Sequence, residues 1–308
     1  MAQIFTGRRE RWLQLARSWA LALLVGVGAL QLSGCDSMAT PDIPLETLKQ
    51  KYTNQYSKFI EIDGTMIHYR DQGSGPPLVL VHGMVSSLHT WDGWQTYLGG
   101  KYRIIRFDVP GFGLTGPLAQ GEYNAETYVR IIDQLLNKLG VNEKITLAGN
   151  SLGGFMAWNY AARHPERVDR LVLLDAPAFK QEVPLVVKMA NWPGADSIGV
   201  RYSPRFLVAA NLKKLFANQG VVTDELIDRY YELTLRPGNR PAILAGSTAR
   251  HNAFHDRSLP LVTRHTRQRG GSTDSEPIAA HRLAPGLAVS LDAPSAARDA
   301  PGRELAGT

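Results

Sequence analysis

The chain has 308 residues, a mild net charge of +6 and 44% hydrophobic residues. That suits one large domain with an insertion and a sizeable core. No compact Lys/Arg stripe with interleaved aromatics is present, which argues against a nucleic-acid partner.

Residues 1–34 read as an export signal. Arg8, Arg9, Arg11 and Arg17 make a basic start, residues 18–32 (SWALALLVGVGALQL) are apolar and uncharged, and small residues follow. The apolar stretch falls short of the ~20 residues that a spanning helix needs. Leu32-Ser33-Gly34-Cys35 resembles the bacterial lipobox, whose cysteine becomes the lipidated first residue of the mature protein. Cys35 is the only cysteine, which leaves none for a disulfide. The expectation is a protein of the bacterial cell envelope, lipid-anchored to a membrane through Cys35 and facing the periplasm or exterior. An uncleaved anchor helix is the competing reading. Residues 35–57 then read as a polar tether.

The domain proper is expected over 58–308. KFIEI and TMIHYR form a hairpin about the tight turn Asp63-Gly64. Residues 78–83 (LVLVHG) read as a central parallel strand ending at His82-Gly83. YRIIRFDVPGFG gives another strand and a turn built on Asp108, Pro110, Gly111 and Gly113. Residues 124–140 predict an amphipathic helix capped by Asn124 and ended by Gly140, with Tyr128, Ile131, Ile132, Leu135, Leu136 and Leu139 on its apolar face. Residues 170–176 (RLVLLDA) add a strand. Strands alternating with helices predict an α/β architecture with a mostly parallel central sheet flanked by helices.

KITLAGN runs as a strand into Gly149-Asn150-Ser151-Leu152-Gly153, and GGFMAWNYAAR continues as a helix. This is the G-x-S-x-G nucleophile elbow. A sharp strand-to-helix turn exposes the serine hydroxyl, and Gly149 and Gly153 leave room because no Cβ crowds the turn. The Leu152 N–H then points at the space where an oxyanion would develop.

HGMVSSLHTW, DVPGFG, GNSLGG and HPERVDRLVLLDAPA, in this order, resemble the α/β-hydrolase superfamily, with a match close to its esterase and lipase branch, which also holds carbon–carbon bond hydrolases. The resemblance covers roughly residues 58–180. It implies the α/β-hydrolase fold with a helical cap, Ser151 as nucleophile, and the Met84 and Leu152 N–H groups as oxyanion hole. A serine at the elbow separates the chain from haloalkane dehalogenases and epoxide hydrolases, which carry Asp there. His82 reads as a loop brace, Asp108 as the organiser of its own turn, and His164 as structural. Trp91 and Trp94 suit either a pocket mouth or core packing.

Residues 177–260 read as the cap. PRFLVAANLKKLFANQ and TDELIDRYYELTLRPG look helical, with Leu207, Leu212, Leu215, Phe216 and Tyr230 as candidates for an apolar acyl pocket or for packing within the cap. Residues 239–308 change character: no Lys, Tyr or Trp, but nine Arg, thirteen Ala and six Pro. No run there resembles the apolar strands upstream.

The order of the triad in this fold is Ser, then acid, then His. Gly271-Ser272-Thr273-Asp274 gives the candidate acid, Asp274. His281 is the candidate base, though only seven residues further on, and Ala296 stands about where the histidine belongs. Asp256 with His281 has a better spacing and no preceding strand. His251 and His255, four apart, lack an evident third metal ligand, and no metal or cofactor is expected. Either the tail carries reading-frame errors or the protein has diverged.

Three functions follow. The first is a carboxylic-ester hydrolase working through a serine acyl-enzyme on a small-molecule ester. The second is a carbon–carbon bond hydrolase on the same fold. The third is a non-catalytic, membrane-anchored binding protein lacking the triad histidine.

Overall fold

The computed structural model describes residues 39–120, 122–176, 200–216, 218–245 and 289–290. The signal segment with Cys35, and the tail candidates Asp274 and His281, lie outside them. Residues 39–41 with Arg201–Ser203 belong to one small unit. Thr40 N–H donates to the Arg201 carbonyl at 2.8 Å, and the Ser203 N–H to Thr40 Oγ1 at 3.1 Å. The remaining described residues form a second unit.

That unit opens with α1 (Leu45–Tyr52), where the sequence reading expected a polar tether. Leu48 and Tyr52 are buried and cluster with Leu114 and Leu233, so an apolar stripe, not the overall polarity, decides this segment. Strands β1 (Ser57–Ile62) and β2 (Thr65–Gln72) pair antiparallel about the expected turn, with Ile62 opposite Thr65. Asp63 (φ 49°) and Gly64 (φ 73°) both adopt the positive φ that a two-residue hairpin turn demands.

The parallel strands follow: β3 (Pro77–Val81), β4 (Arg103–Phe107), β5 (Ile145–Asn150) and β6 (Val168–Leu174). A two-residue β7 (Val289–Ser290) lies parallel to Leu171–Val172, although the tail predicts no strand. Sheet order is β1-β2-β4-β3-β5-β6-β7. All five residues of β3 are buried, as the unbroken apolar run requires.

Between β3 and β4 lie a short 3-10 turn (Leu88–Trp91) and α2 (Asp92–Leu98). Helix α3 (Ala125–Lys138) starts where Asn124 Oδ1 accepts the Thr127 N–H at 2.9 Å and stops before Gly140, at φ 66°. Its predicted apolar face packs into the main core with Phe155, Met156 and Tyr160 of α4 (Leu152–Arg163). Trp91 is buried against Leu78, Leu80 and Ile104, so it is a core residue rather than a pocket rim. Two helices are described in the segment expected to form the cap, α5 (Arg205–Leu215) and α6 (Asp224–Thr234). Leu207 and Leu215, candidates for an acyl pocket or for packing within the cap, are 51% and 77% exposed instead, while Leu212 is buried.

Candidate active site

The chain leaves β3 toward β4 on one side and returns to β5 on the other. The carboxyl ends of β3 and β5 therefore flank the point where the strand order reverses, which is where open α/β sheets bind ligands. Ser151 sits there, between the end of β5 and the first residue of α4.

Its backbone is strained. Ser151 has φ 50° and ψ −115°, a region that favours glycine. The turn is held from both sides: the Ser151 N–H donates to the Leu174 carbonyl at 2.9 Å, and its carbonyl accepts the Phe155 N–H at 3.0 Å. Asn150 Nδ2 adds a 3.3 Å bond to the same Leu174 carbonyl. Three of the four described non-glycine residues with positive φ stand just past the carboxyl ends of adjacent strands: Val85 after β3, Ser151 after β5 and Asp175 after β6. Strain gathered in one crevice makes it the candidate site.

The glycines act as the sequence predicts. A Cβ on Gly149 would run into the Gly153 carbonyl, and one on Gly153 into the carbonyls of Val81 and His82. The start of α4 thus lies against the end of β3. Gly83 closes over the elbow, since a Cβ there would come within 3.2 Å of Ser151 Cβ. Met84 follows Gly83 directly. Leu152 opens α4, so its N–H has no acceptor within the helix.

The loop carrying Gly83 and Met84 is braced by buried polar groups. His82 is fully buried; its Nδ1 contacts the Gly83 carbonyl at 2.7 Å, and its Nε2 accepts the Val109 N–H at 2.9 Å. Burial lowers its pKa. Asp108, at the end of β4, accepts the Leu88 N–H at 2.7 Å, the Leu114 N–H at 2.8 Å and His68 Nδ1 at 2.7 Å. Burial opposes its charge, but His68, His82 and His89 outweigh that and hold the carboxyl well below its usual range. Both residues are structural, in agreement with the sequence reading. The His68–Asp108 pair was not foreseen: its members are 40 residues apart and meet only across the β2–β4 pairing.

Four histidines are described, and none pairs with Ser151. His68 and His82 are committed to Asp108, Gly83 and Val109. His89 bonds Ser87 Oγ, the Tyr52 carbonyl and Arg70 at 3.0 Å each. His164 caps the far end of α4, stacked on Tyr160. Helix α6 reaches the braced loop through Tyr230, whose hydroxyl meets Ser86 Oγ at 3.2 Å and Thr90 Oγ1 at 3.1 Å. Tyr230, Val85, Ser86, Phe112, Leu233 and Ile243 line a small cleft.

Residues 76–219 match the family model described as alpha/beta hydrolase fold. The chain is 33% identical, over 57% of its own length and 60% of the relative's, to a 2-hydroxymuconate semialdehyde hydrolase from Pseudomonas sp. (strain CF600). Among solved structures, it resembles Cfl2 from Burkholderia cenocepacia (25% identity, TM-score 0.57, 67% of this chain and 76% of that one). It also resembles the meta-cleavage product hydrolase CumD from Pseudomonas fluorescens IP01, at 30% identity. In two crystal structures of that enzyme the TM-scores are 0.53 and 0.52, over 61% of this chain and 68% and 66% of that one. The chain belongs to the α/β-hydrolase superfamily and has its fold. It spans 49–60% of the length of the first curated relatives it matches.

Proposed function

We propose that the protein is a serine hydrolase that cleaves carboxylic esters through an acyl-enzyme on Ser151. The observation that carries this reading is the strained Ser151 turn at the end of β5, closed over by Gly83. Ser151 Oγ bonds to the ester carbonyl carbon while its proton passes to a base. The Met84 and Leu152 N–H groups stabilise the oxyanion, and the alcohol leaves with the proton. Water then attacks the acyl carbon and frees the acid and the serine. Loss of one such oxyanion donor typically lowers turnover by about 10²–10³-fold. The acid and base come from the tail, with Asp274 and His281 as candidates. A fluorophosphonate probe is expected to label the protein at Ser151, and Ser151→Ala to abolish both labelling and hydrolysis of a short-chain nitrophenyl ester. Absence of labelling in the unaltered protein would instead favour a non-catalytic binding protein.

Carbon–carbon bond hydrolysis is the second reading, favoured by the likeness to the 2-hydroxymuconate semialdehyde and meta-cleavage product hydrolases. Parallel assays with a nitrophenyl ester and a ring-cleavage dienoate separate the two. Lipid attachment at Cys35 is likewise our reading of the N-terminus. Labelled palmitate should be incorporated by the full chain in bacteria and lost with Cys35→Ala.

A further inference from the structure

Two buried arginines stand directly opposite each other on neighbouring strands, Arg70 on β2 and Arg106 on β4. Like charges in register destabilise a sheet, and burying them adds a desolvation penalty unless anions compensate. One carboxylate serves them both. Asp92, at the start of α2, lies 2.5 Å from Arg106 and 3.7 Å from Arg70. Among the described residues, the same carboxylate is also the only acid bridged to Arg229 of α6, at 4.0 Å. Three guanidinium groups thus share a single Asp92 side chain, itself half exposed. Arg70 is otherwise tied to Ser57 Oγ and the Tyr52 carbonyl, and Arg106 to Gln72 and the Leu88 carbonyl. The Nε–H groups of Arg106 and Arg229 are buried and have no acceptor among the described residues. Burial, then the facing Arg106, lowers the pKa of Arg70, as an under-compensated cation requires.

These groups line a cleft of about 550 Å³ with His89, Gln72, Tyr52 and Tyr56. Its size lies within the span of small-molecule sites, about 300–1,000 Å³. At the rim, the Glu232 and Asp228 carboxylates are paired with Lys51 and Arg205, and Glu225 is exposed to solvent. None of the lining residues belongs to the Gly83, Met84, Ser151 and Leu152 group.

We propose that this cleft binds a small organic oxyanion, a carboxylate or phosphate monoester, whose head is forked by Arg229 and Arg106. Guanidinium groups present paired N–H donors that match both heads. The site is separate from the elbow, so it stands or falls independently of the ester reaction.

The test is calorimetric titration of the full chain with succinate, glycerol 3-phosphate and, at matched ionic strength, potassium chloride. Saturable binding of succinate or glycerol 3-phosphate but not chloride is expected, and which one saturates identifies the head. Arg229→Gln, on the cap and partly exposed, should weaken binding at least 10-fold with an unchanged far-UV spectrum. Asp92→Asn removes the competing carboxylate and should tighten binding several-fold. No saturation by either compound, equal heat from chloride, or affinity unchanged in Arg229→Gln overturns the proposal. Weaker binding in an Asp92→Asn protein of unchanged spectrum overturns it too.

Discussion

Asp108 accepts the Leu88 N–H at 2.7 Å, and this bond ties the end of β4 to the loop that follows Gly83 and Met84. The same carboxylate holds Leu114 N–H and His68, and Gly113 lies so close that a Cβ there would run into the carboxyl. Asp108→Ala leaves His68 and two buried N–H groups without their acceptor. It should destabilise the fold by about 3–5 kcal/mol, the scale for breaking a buried pair. Urea denaturation measures this, and a loss below about 1 kcal/mol would show that the network is dispensable.

Backbone strain at Ser151 gives a second prediction. The φ of 50° with ψ −115° suits glycine, and strain of this kind costs about 1–3 kcal/mol. Replacing Ser151 with glycine should therefore raise stability by about 1 kcal/mol, after the entropy that glycine adds to the unfolded chain. Ester hydrolysis should vanish in the same variant. A urea midpoint lower than that of the unaltered protein would contradict the strain.

Gly153 packs where no side chain fits. In Gly153→Ala the new methyl meets the Val81 and His82 carbonyls, so α4 must shift away from β3. Overpacking of this kind costs about 1–3 kcal/mol. Turnover of a nitrophenyl ester should fall further than stability alone explains, because the shift separates Leu152 from Met84. Equal activity per folded molecule in the variant would argue that the two N–H groups do not act together.

Acid should weaken the fold well above the carboxylate range. Burial is the main cause that brings His89 down from 6.5 to about 4, with Asp108 and Asp92 opposing and Arg70 and Arg229 adding. Its folded pKa lies below the unfolded one, so between the two the unfolded chain takes up the proton. The contribution is complete above about pH 6.5 and is lost toward pH 4, at up to ~1.4 kcal/mol per pH unit. Buried His82 acts in the same direction. Asp108, with its pKa lowered, loses its contribution only below about pH 4. Melting temperatures should fall from pH 7 to pH 5, and His89→Gln should flatten that slope; an unchanged slope would remove His89 as the cause.

Much of the frame was legible because it depends on near neighbours. Gly149, Ser151 and Gly153 sit within one turn, and their spacing predicts the strand–turn–helix that forms. The Asn124 cap, the apolar face of α3 and the Asp63-Gly64 turn follow from residues no more than a few positions apart. Helix α1 was hidden inside a polar segment, since its buried face consists of little more than Leu48 and Tyr52 and acquires meaning only against Leu114 and Leu233. Leu207 and Leu215 misled for the converse reason: apolar side chains on a cap helix predict burial, yet no described element covers them.

The sequence by itself determined the elbow at Ser151, the order of strands β1 to β6, and the α/β-hydrolase class, because each rests on local backbone preference and on the period of apolar residues. Tertiary structure alone decided what surrounds them. Pairing β2 with β4 brings His68 to Asp108 and sets Arg70 opposite Arg106, and packing α6 onto that edge adds Arg229. Electrostatic partners act through space at a few ångströms, while along the chain these pairs are separated by dozens of residues or more, a distance that no motif or periodicity spans.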